Sequence, residues 1–123
     1  MPRDTLEIRV RIYCGEEIAM GPGKASLLEA IRRHGSISAA GRVMDMSYRR
    51  AWLLVDAMNR CWNEPLVATS PGSAYGGARV TSLGKEVLAH YRAVQGQLHG
   101  AAQGAAKALA AAMRVEPKDS QKT

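Results

Sequence analysis

The chain has 123 residues and a mass of 13.3 kDa, with 46% apolar and 23% charged residues, which fits one soluble globular domain rather than two. A chain this short buries about two-thirds of its unfolded surface, enough for one modest core but not for a bulky cofactor. No run approaches the about 18 consecutive apolar residues of a membrane span. Arg3, Asp4, Glu7 and Arg9 stand where a signal peptide would be apolar, so a cytoplasmic protein without a membrane partner is expected.

Seventeen Lys and Arg against eleven Asp and Glu leave a net charge of +6 and a pI near 9.7. Thirteen basic and nine acidic groups lie in residues 1–95, and four and two in residues 96–123, so the excess is not merely a basic tail. Such a balance suits an acidic polymer as partner. Cys14 and Cys61 lack CxxC spacing and read as reduced, buried hydrophobes. His34, His90 and His99 are scattered, and no set of His, Cys, Asp and Glu has zinc-site spacing, so neither metal nor cofactor is expected.

In chain order, Leu6, Ile8, Val10 and Ile12 alternate with charged residues, which predicts a half-buried strand over Leu6 to Ile12. Gly15 and Gly21-Pro22-Gly23 punctuate the chain before a helix over Lys24 to His34, where Leu27, Leu28 and Ile31 keep helical spacing and Gly35 offers a C-cap. A short second helix starts after Ser36 or Ser38 and runs to about Met44 through Ala39, Ala40 and Gly41. Asp45-Met46 interrupts it, because Asp tolerates a left-handed backbone, and Ser47 caps a third helix extending to about Trp62. Pro65 prevents further extension.

Leu66 to Ser70, the turn residues Pro71 to Gly77, and Ala78 to Thr81 read as a hairpin. Thr81 or Ser82 caps a last helix from Leu83 whose apolar or small positions 87, 91, 94, 98, 101, 105, 108 and 112 form a heptad seam. Its alanine-rich second half carries Gly96, Gly100 and Gly104, each costing about 1 kcal/mol of helix propensity, so fraying beyond Leu98 is expected unless a partner packs there. Residues 114–123 are polar, contain Pro117 and are expected to be disordered. The division is therefore 1–98 as a folded domain, 99–113 as a helical extension and 114–123 as a tail.

Residues 37–62 have the organisation of a helix-turn-helix, with Ile37, Ala40, Met44 and Met46 meeting Ala51, Leu54, Val55 and Met58. Ser47, Tyr48, Arg49 and Arg50 crowd the first turn of the second helix, the turn that enters the major groove in such motifs. Cations oppose the helix dipole there, so two arginines imply an anion outside. Guanidinium forks read guanine or clamp phosphates. The hairpin makes this a winged helix, an α+β fold, whose loop places Ser73, Tyr75, Gly76, Gly77 and Arg79 near a phosphate backbone. Trp52 and Trp62 are expected to be packing anchors, since aromatics are few and Phe is absent.

Gly35-Ser36-Ile37-Ser38, Met46-Ser47-Tyr48-Arg49-Arg50-Ala51-Trp52, Met58-Asn59, Gly76-Gly77-Ala78 and Thr81-x-x-Gly84 carry a family resemblance. Over approximately Gly21 to Gln97 the chain resembles the N-terminal domain of ModE, the bacterial molybdenum-responsive regulator, and more distantly the LysR-type DNA-binding head. The resemblance implies a dimeric winged helix regulating transcription at a two-fold operator in duplex DNA. It places Ser47, Tyr48, Arg49 and Arg50 in the major groove; with them Ser36, Ser38, Tyr75, Gly76, Gly77 and Arg79 are the candidate DNA contacts, and the apolar seam of Val87, Tyr91, Val94 and Leu98 is the expected homodimer surface. The family's wing is richer in glycine and carries a lysine near Ser73, a role open here to Arg79 or Tyr75. ModE continues into molybdate-binding domains, and nothing after Gln97 resembles one, so no molybdate is expected on this chain.

Two other classes fit the same residues. A winged-helix interaction module would dock through the alanine and glycine helix. A small metal-sensing protein would use Cys14, Cys61, His90 or some of Met20, Met44, Met46 and Met58, although most of these methionines hold core spacing. An enzyme is not expected: Asp45, Asp56, Glu64 and Glu86 are isolated, and no Ser or Cys has a local His partner.

Overall fold

The computed structural model describes residues 5–70 and 77–120. Two short strands, β1 (Ile12–Cys14) and β2 (Glu17–Met20), open the chain as an antiparallel hairpin turning at Gly15, whose φ of +59° suits glycine. Three helices follow: α1 (Pro22–His34), α2 (Ile37–Val43) and α3 (Tyr48–Cys61). A second antiparallel hairpin, β3 (Val67–Thr69) and β4 (Ala78–Val80), leads into α4 (Ser82–Ala101) and α5 (Gln103–Ala112). The fold is α+β, a winged helix-turn-helix.

The strand predicted over Leu6 to Ile12 is displaced. Its burial alternates as expected, Leu6, Ile8, Val10 and Ile12 half-buried and Glu7, Arg9 and Arg11 exposed, but pairing begins only at Ile12. Alternation records that one face is covered, whereas a ladder needs a second strand, and β2 reaches back only as far as Ile12. At Val10 the face meets α4, whose buried Tyr91 donates its hydroxyl to the Val10 carbonyl at 2.7 Å, and Leu6 lies beside Ala106 of α5. No strand is predicted over β2, because Glu17-Ile18-Ala19-Met20 does not alternate, holds a single β-branched residue and adjoins the Gly-Pro-Gly punctuation.

Helix α1 begins two residues earlier than predicted, with Pro22 at its first turn where a missing N–H costs nothing. It ends on Gly35, at φ +75°, whose N–H bonds the Ile31 carbonyl at 2.8 Å. Leu27, Leu28 and Ile31 of α1 are fully buried against Ala40 of α2, Val55 and Met58 of α3 and Leu88 and Tyr91 of α4. An ion pair from Arg92 of α4 to Glu29 of α1 lies at the edge of this core.

The glycines of the last helix do not end it at Leu98. α4 continues to Ala101, and the interruption falls at Ala102, whose N–H still bonds the Leu98 carbonyl at 3.0 Å while its own carbonyl accepts from Ala106 at 2.8 Å. The backbone bonds thus pass through the break, and residues 114–120 form neither helix nor strand.

Candidate nucleic-acid interface

The helix-turn-helix is built by two caps and one close approach. Ser36 Oγ accepts from the Ala39 N–H at 3.0 Å and Ser47 Oγ from the Arg50 N–H at 3.1 Å, starting α2 and α3 at the predicted residues. Between them Asp45 takes the left-handed conformation at φ +56°, and the Met46 N–H returns to the Gly41 carbonyl at 2.9 Å. A side chain at Gly41 would meet Ala51 Cβ at 3.3 Å, so small residues let α2 and α3 approach. Ala51, Val55, Ala57 and Met58 face the core, and Tyr48, Arg49, Arg50, Trp52, Leu53, Asp56 and Arg60 face out.

Neither Arg49 nor Arg50 makes an ion pair among the described residues, and no acidic residue lies in the first turn of α3. Two cations at a helix N-terminus oppose the helix dipole. Arg60, at the other end, is held by the protein itself: it bonds Asp56 at 2.9 Å and Glu17 of β2 at 3.0 Å, and these carboxylates raise its pKa. Burial pushes the ammonium of Lys24, at the start of α1, below its ordinary value, with Glu17 opposing that shift and Arg50 adding to it.

The two tryptophans part company. Trp62 is half-buried against the core and donates its indole N–H to the Ala19 carbonyl at 3.1 Å, as a packing anchor should. Trp52 does not: it is 38% exposed on the outward face of α3 and donates to the Tyr48 hydroxyl one turn earlier. Ala51, next to it, takes the buried position, and adjacent residues on a helix point about 100° apart.

The hairpin is fastened at its root. Val67 pairs with Val80 and Thr69 with Ala78; Ser36 bridges Gly77, and the Ala78 N–H bonds the Gly35 carbonyl at 2.9 Å. Asn59, on α3, accepts from the N–H groups of Leu66 and Val67 at 2.9 and 3.1 Å and donates to the Val67 carbonyl at 3.0 Å. At the same open end of the hairpin, Thr81 Oγ1 donates to Pro65 O at 2.8 Å and accepts from the Gly84 N–H at 3.0 Å. Gly84 packs so tightly there that a Cβ would lie 2.4 Å from the Leu66 carbonyl oxygen. Asn59 and Gly84 were visible as residues of the family pattern, but no spacing rule reveals that they clamp the wing.

Of the predicted contact residues, Ser47, Tyr48, Arg49 and Arg50 lie together at the exposed start of α3, with Ser36 and Ser38 half-buried at the start of α2. Arg79 is exposed on β4 beside Gly77, whereas Ser73, Tyr75 and Gly76 lie outside the described residues. The predicted seam divides: Val87 and Tyr91 are buried in the chain's own core, and Val94 and Leu98 are 38% and 43% exposed. Cys14 is exposed and Cys61 half-buried, not the fully buried pair expected. Burial and the neighbouring Cys14 raise the Cys61 thiol pKa. Among the described residues no group of three His, Cys, Asp or Glu is arranged to hold a metal, and no helix is long and apolar enough to cross a membrane.

An outward-facing second helix, a tight left-handed turn before it and a hairpin hung from its far end define a winged helix-turn-helix of the kind found in transcriptional regulators. The same fold occurs in the crystal structure of a LysR family transcriptional regulator, with a TM-score of 0.50 at 13% identity, over 67% of this chain and 27% of that one. In sequence the chain is a homologue of ModE and Mop proteins over the segment it shares with them. It is 41% identical over 80 residues to the molybdenum-pterin-binding protein MopA of Rhodobacter capsulatus, covering 64% of this chain and 30% of the relative. Identity to the transcriptional regulator ModE of Yersinia pestis is 30% over 86 residues, 69% of this chain and 33% of the relative. The chain thus spans about a third or less of the length of these relatives. No protein-family model matches it.

Proposed function

We propose that this chain is a DNA-binding transcriptional regulator, not an enzyme, that acts in the cytoplasm as a homodimer on a two-fold operator near molybdenum-related genes. The observation that carries this proposal is the pair of arginines, Arg49 and Arg50, exposed in the first turn of the outward helix with no ion pair among the described residues. In a duplex, α3 lies in the major groove. One arginine takes a guanine edge and its neighbour a phosphate, while Ser47 and Tyr48 contact the backbone and Arg79 of the wing reaches a flanking phosphate. Exposed Val94 and Leu98 on α4 supply apolar surface for the second copy. Residues 1–98 form the binding unit in this scheme, with 99–113 as its extension and 114–123 as a tail.

The test is selection of bound fragments from genomic DNA, followed by titration of the preferred duplex and a scrambled one. Replacing the arginine that reads guanine should cost about 1–3 kcal/mol per half-site on the preferred duplex and little on the scrambled one. We assign that role to Arg49. Arg79→Ala should weaken both alike and reduce the salt slope by about one per half-site. If Arg49→Ala and Arg50→Ala both leave affinity unchanged at physiological salt, the assignment of α3 fails.

A further inference from the structure

The outward face of α3 is not uniformly polar. Tyr48, Arg49, Trp52, Leu53 and Asp56 line one shallow recess, and three of these five side chains are large and apolar. Tyr48 and Leu53 are each 56% exposed and Trp52 38%. None is needed for the core, because Ala51, Val55, Ala57 and Met58 already fill the buried face. Such a cluster on the exposed face of the first two turns of α3 suits a binding surface.

Trp52 has one hydrogen-bond donor, its indole N–H, and gives it to the Tyr48 hydroxyl. What remains for a ligand is hydrocarbon and ring face, which read no donor or acceptor pattern. Leu53 offers only methyl groups. At one end of the recess Arg49 and its neighbour Arg50 are exposed, and the one carboxylate of the recess, Asp56, is tied to Arg60. Apolar groups beside cations that make no ion pair among the described residues fit the DNA major groove better than a protein's apolar patch, and the major groove has one apolar group on its base edges, the C5-methyl of thymine. Three residues along a helix advance about 4.5 Å. That places Trp52 roughly one base step, about 3.4 Å, beyond whatever Arg49 contacts.

We infer that Trp52 and Leu53 are specificity-determining residues that recognise thymine C5-methyl groups at the base pairs next to the one read by Arg49. This rests on the DNA-binding role proposed above. The Tyr48 hydroxyl accepts from Trp52 and keeps its own proton for a phosphate, so the pair joins a backbone contact to a methyl contact through one hydrogen bond.

The experiment uses the full chain and the preferred duplex recovered by genomic selection. Thymines in each half-site are replaced one at a time by deoxyuridine, which removes only the methyl group. The expected result is about a fourfold loss of affinity at one or two adjacent positions, the loss that corresponds to burying one methyl. Trp52→Gln and Leu53→Ser, checked for folding by thermal melts, should bind thymine and deoxyuridine duplexes alike while the salt slope stays unchanged. Equal binding of both duplexes by the unmodified chain, with steep salt dependence retained, overturns the methyl assignment and leaves DNA binding intact. A preferred half-site with no thymine in this position overturns it too. Failure to bind any duplex removes both proposals and points to a protein partner for the patch.

Discussion

Asn59 and Val67 are joined by a closed pair of hydrogen bonds: the Asn59 side-chain oxygen accepts from the Val67 N–H at 3.1 Å and its amide nitrogen donates to the Val67 carbonyl at 3.0 Å. A third bond, from the Leu66 N–H at 2.9 Å, completes the tie between the outward helix and the first strand of the wing. Asn59→Ala leaves these backbone groups without partners at a buried segment. It should cost about 2–3 kcal/mol in urea unfolding. Asn59→Asp keeps the acceptor but turns a carboxylate toward the Val67 carbonyl, so it should fail to rescue at neutral pH.

Two glycines of one helix should respond oppositely to the same change. Gly84→Ala drives a methyl group to within 2.4 Å of the Leu66 carbonyl and 2.7 Å of Val80 Cγ1, and should destabilise by about 1–3 kcal/mol or more. At Gly96 nothing lies within 4 Å of the added methyl, and alanine is the better helix former, so Gly96→Ala should stabilise by about 0.5–1 kcal/mol. Thermal melts of the two variants check the contrast.

Tyr91 predicts an alkaline limit. Burial raises its phenol above the ordinary value near 10, with the Arg92 charge partly opposing the shift. The unfolded chain therefore loses the phenol proton first as pH rises. Stability from the buried neutral phenol is complete below about pH 10 and is lost as pH climbs through the higher folded value. Tyr91→Phe should cost about 1 kcal/mol at neutral pH, through the lost bond to Val10, and should overtake the parent chain in strong base. Denaturant titrations of both chains from pH 7 to pH 11 would show the crossing.

Val94→Arg should split the proposed dimer, because it puts like charges into the exposed part of the α4 seam while sparing the buried Val87 and Tyr91. Sedimentation should show a folded monomer, and affinity for a two-half-site duplex should fall because each half then binds separately. A dimer unaffected by the change would place the interface elsewhere.

The helix starts were legible because their signals are local. Ser36, Ser47 and Thr81 each cap within three residues, and Asp45 and Gly35 announce their left-handed backbones by residue type. Contacts between distant segments left no such trace. Nothing in the spacing of Leu6 to Ile12 says that its covered face meets Tyr91 rather than a neighbouring strand, and nothing in Trp52 separates an anchor from an exposed aromatic. A heptad likewise records that a stripe is apolar, not what covers it, so Val87 and Tyr91 read like Val94 and Leu98 although the chain's own core takes the first two. At the candidate interface, the exposed arginines were readable from their place in a capped first turn.

The wing is anchored to both helices of the helix-turn-helix, through Gly35 and Ser36 on one side and Asn59 on the other. Among the described residues these bonds set the spacing between the hairpin and the outward helix, which together act as a gauge of one width. In the proposed complex, a duplex whose groove spacing departs from that width must itself twist or bend to be bound. Base steps that never touch the protein would then be selected by their stiffness alone. Sequence preference should accordingly extend into the stretch between the outward helix and the wing, where no side chain reads an edge.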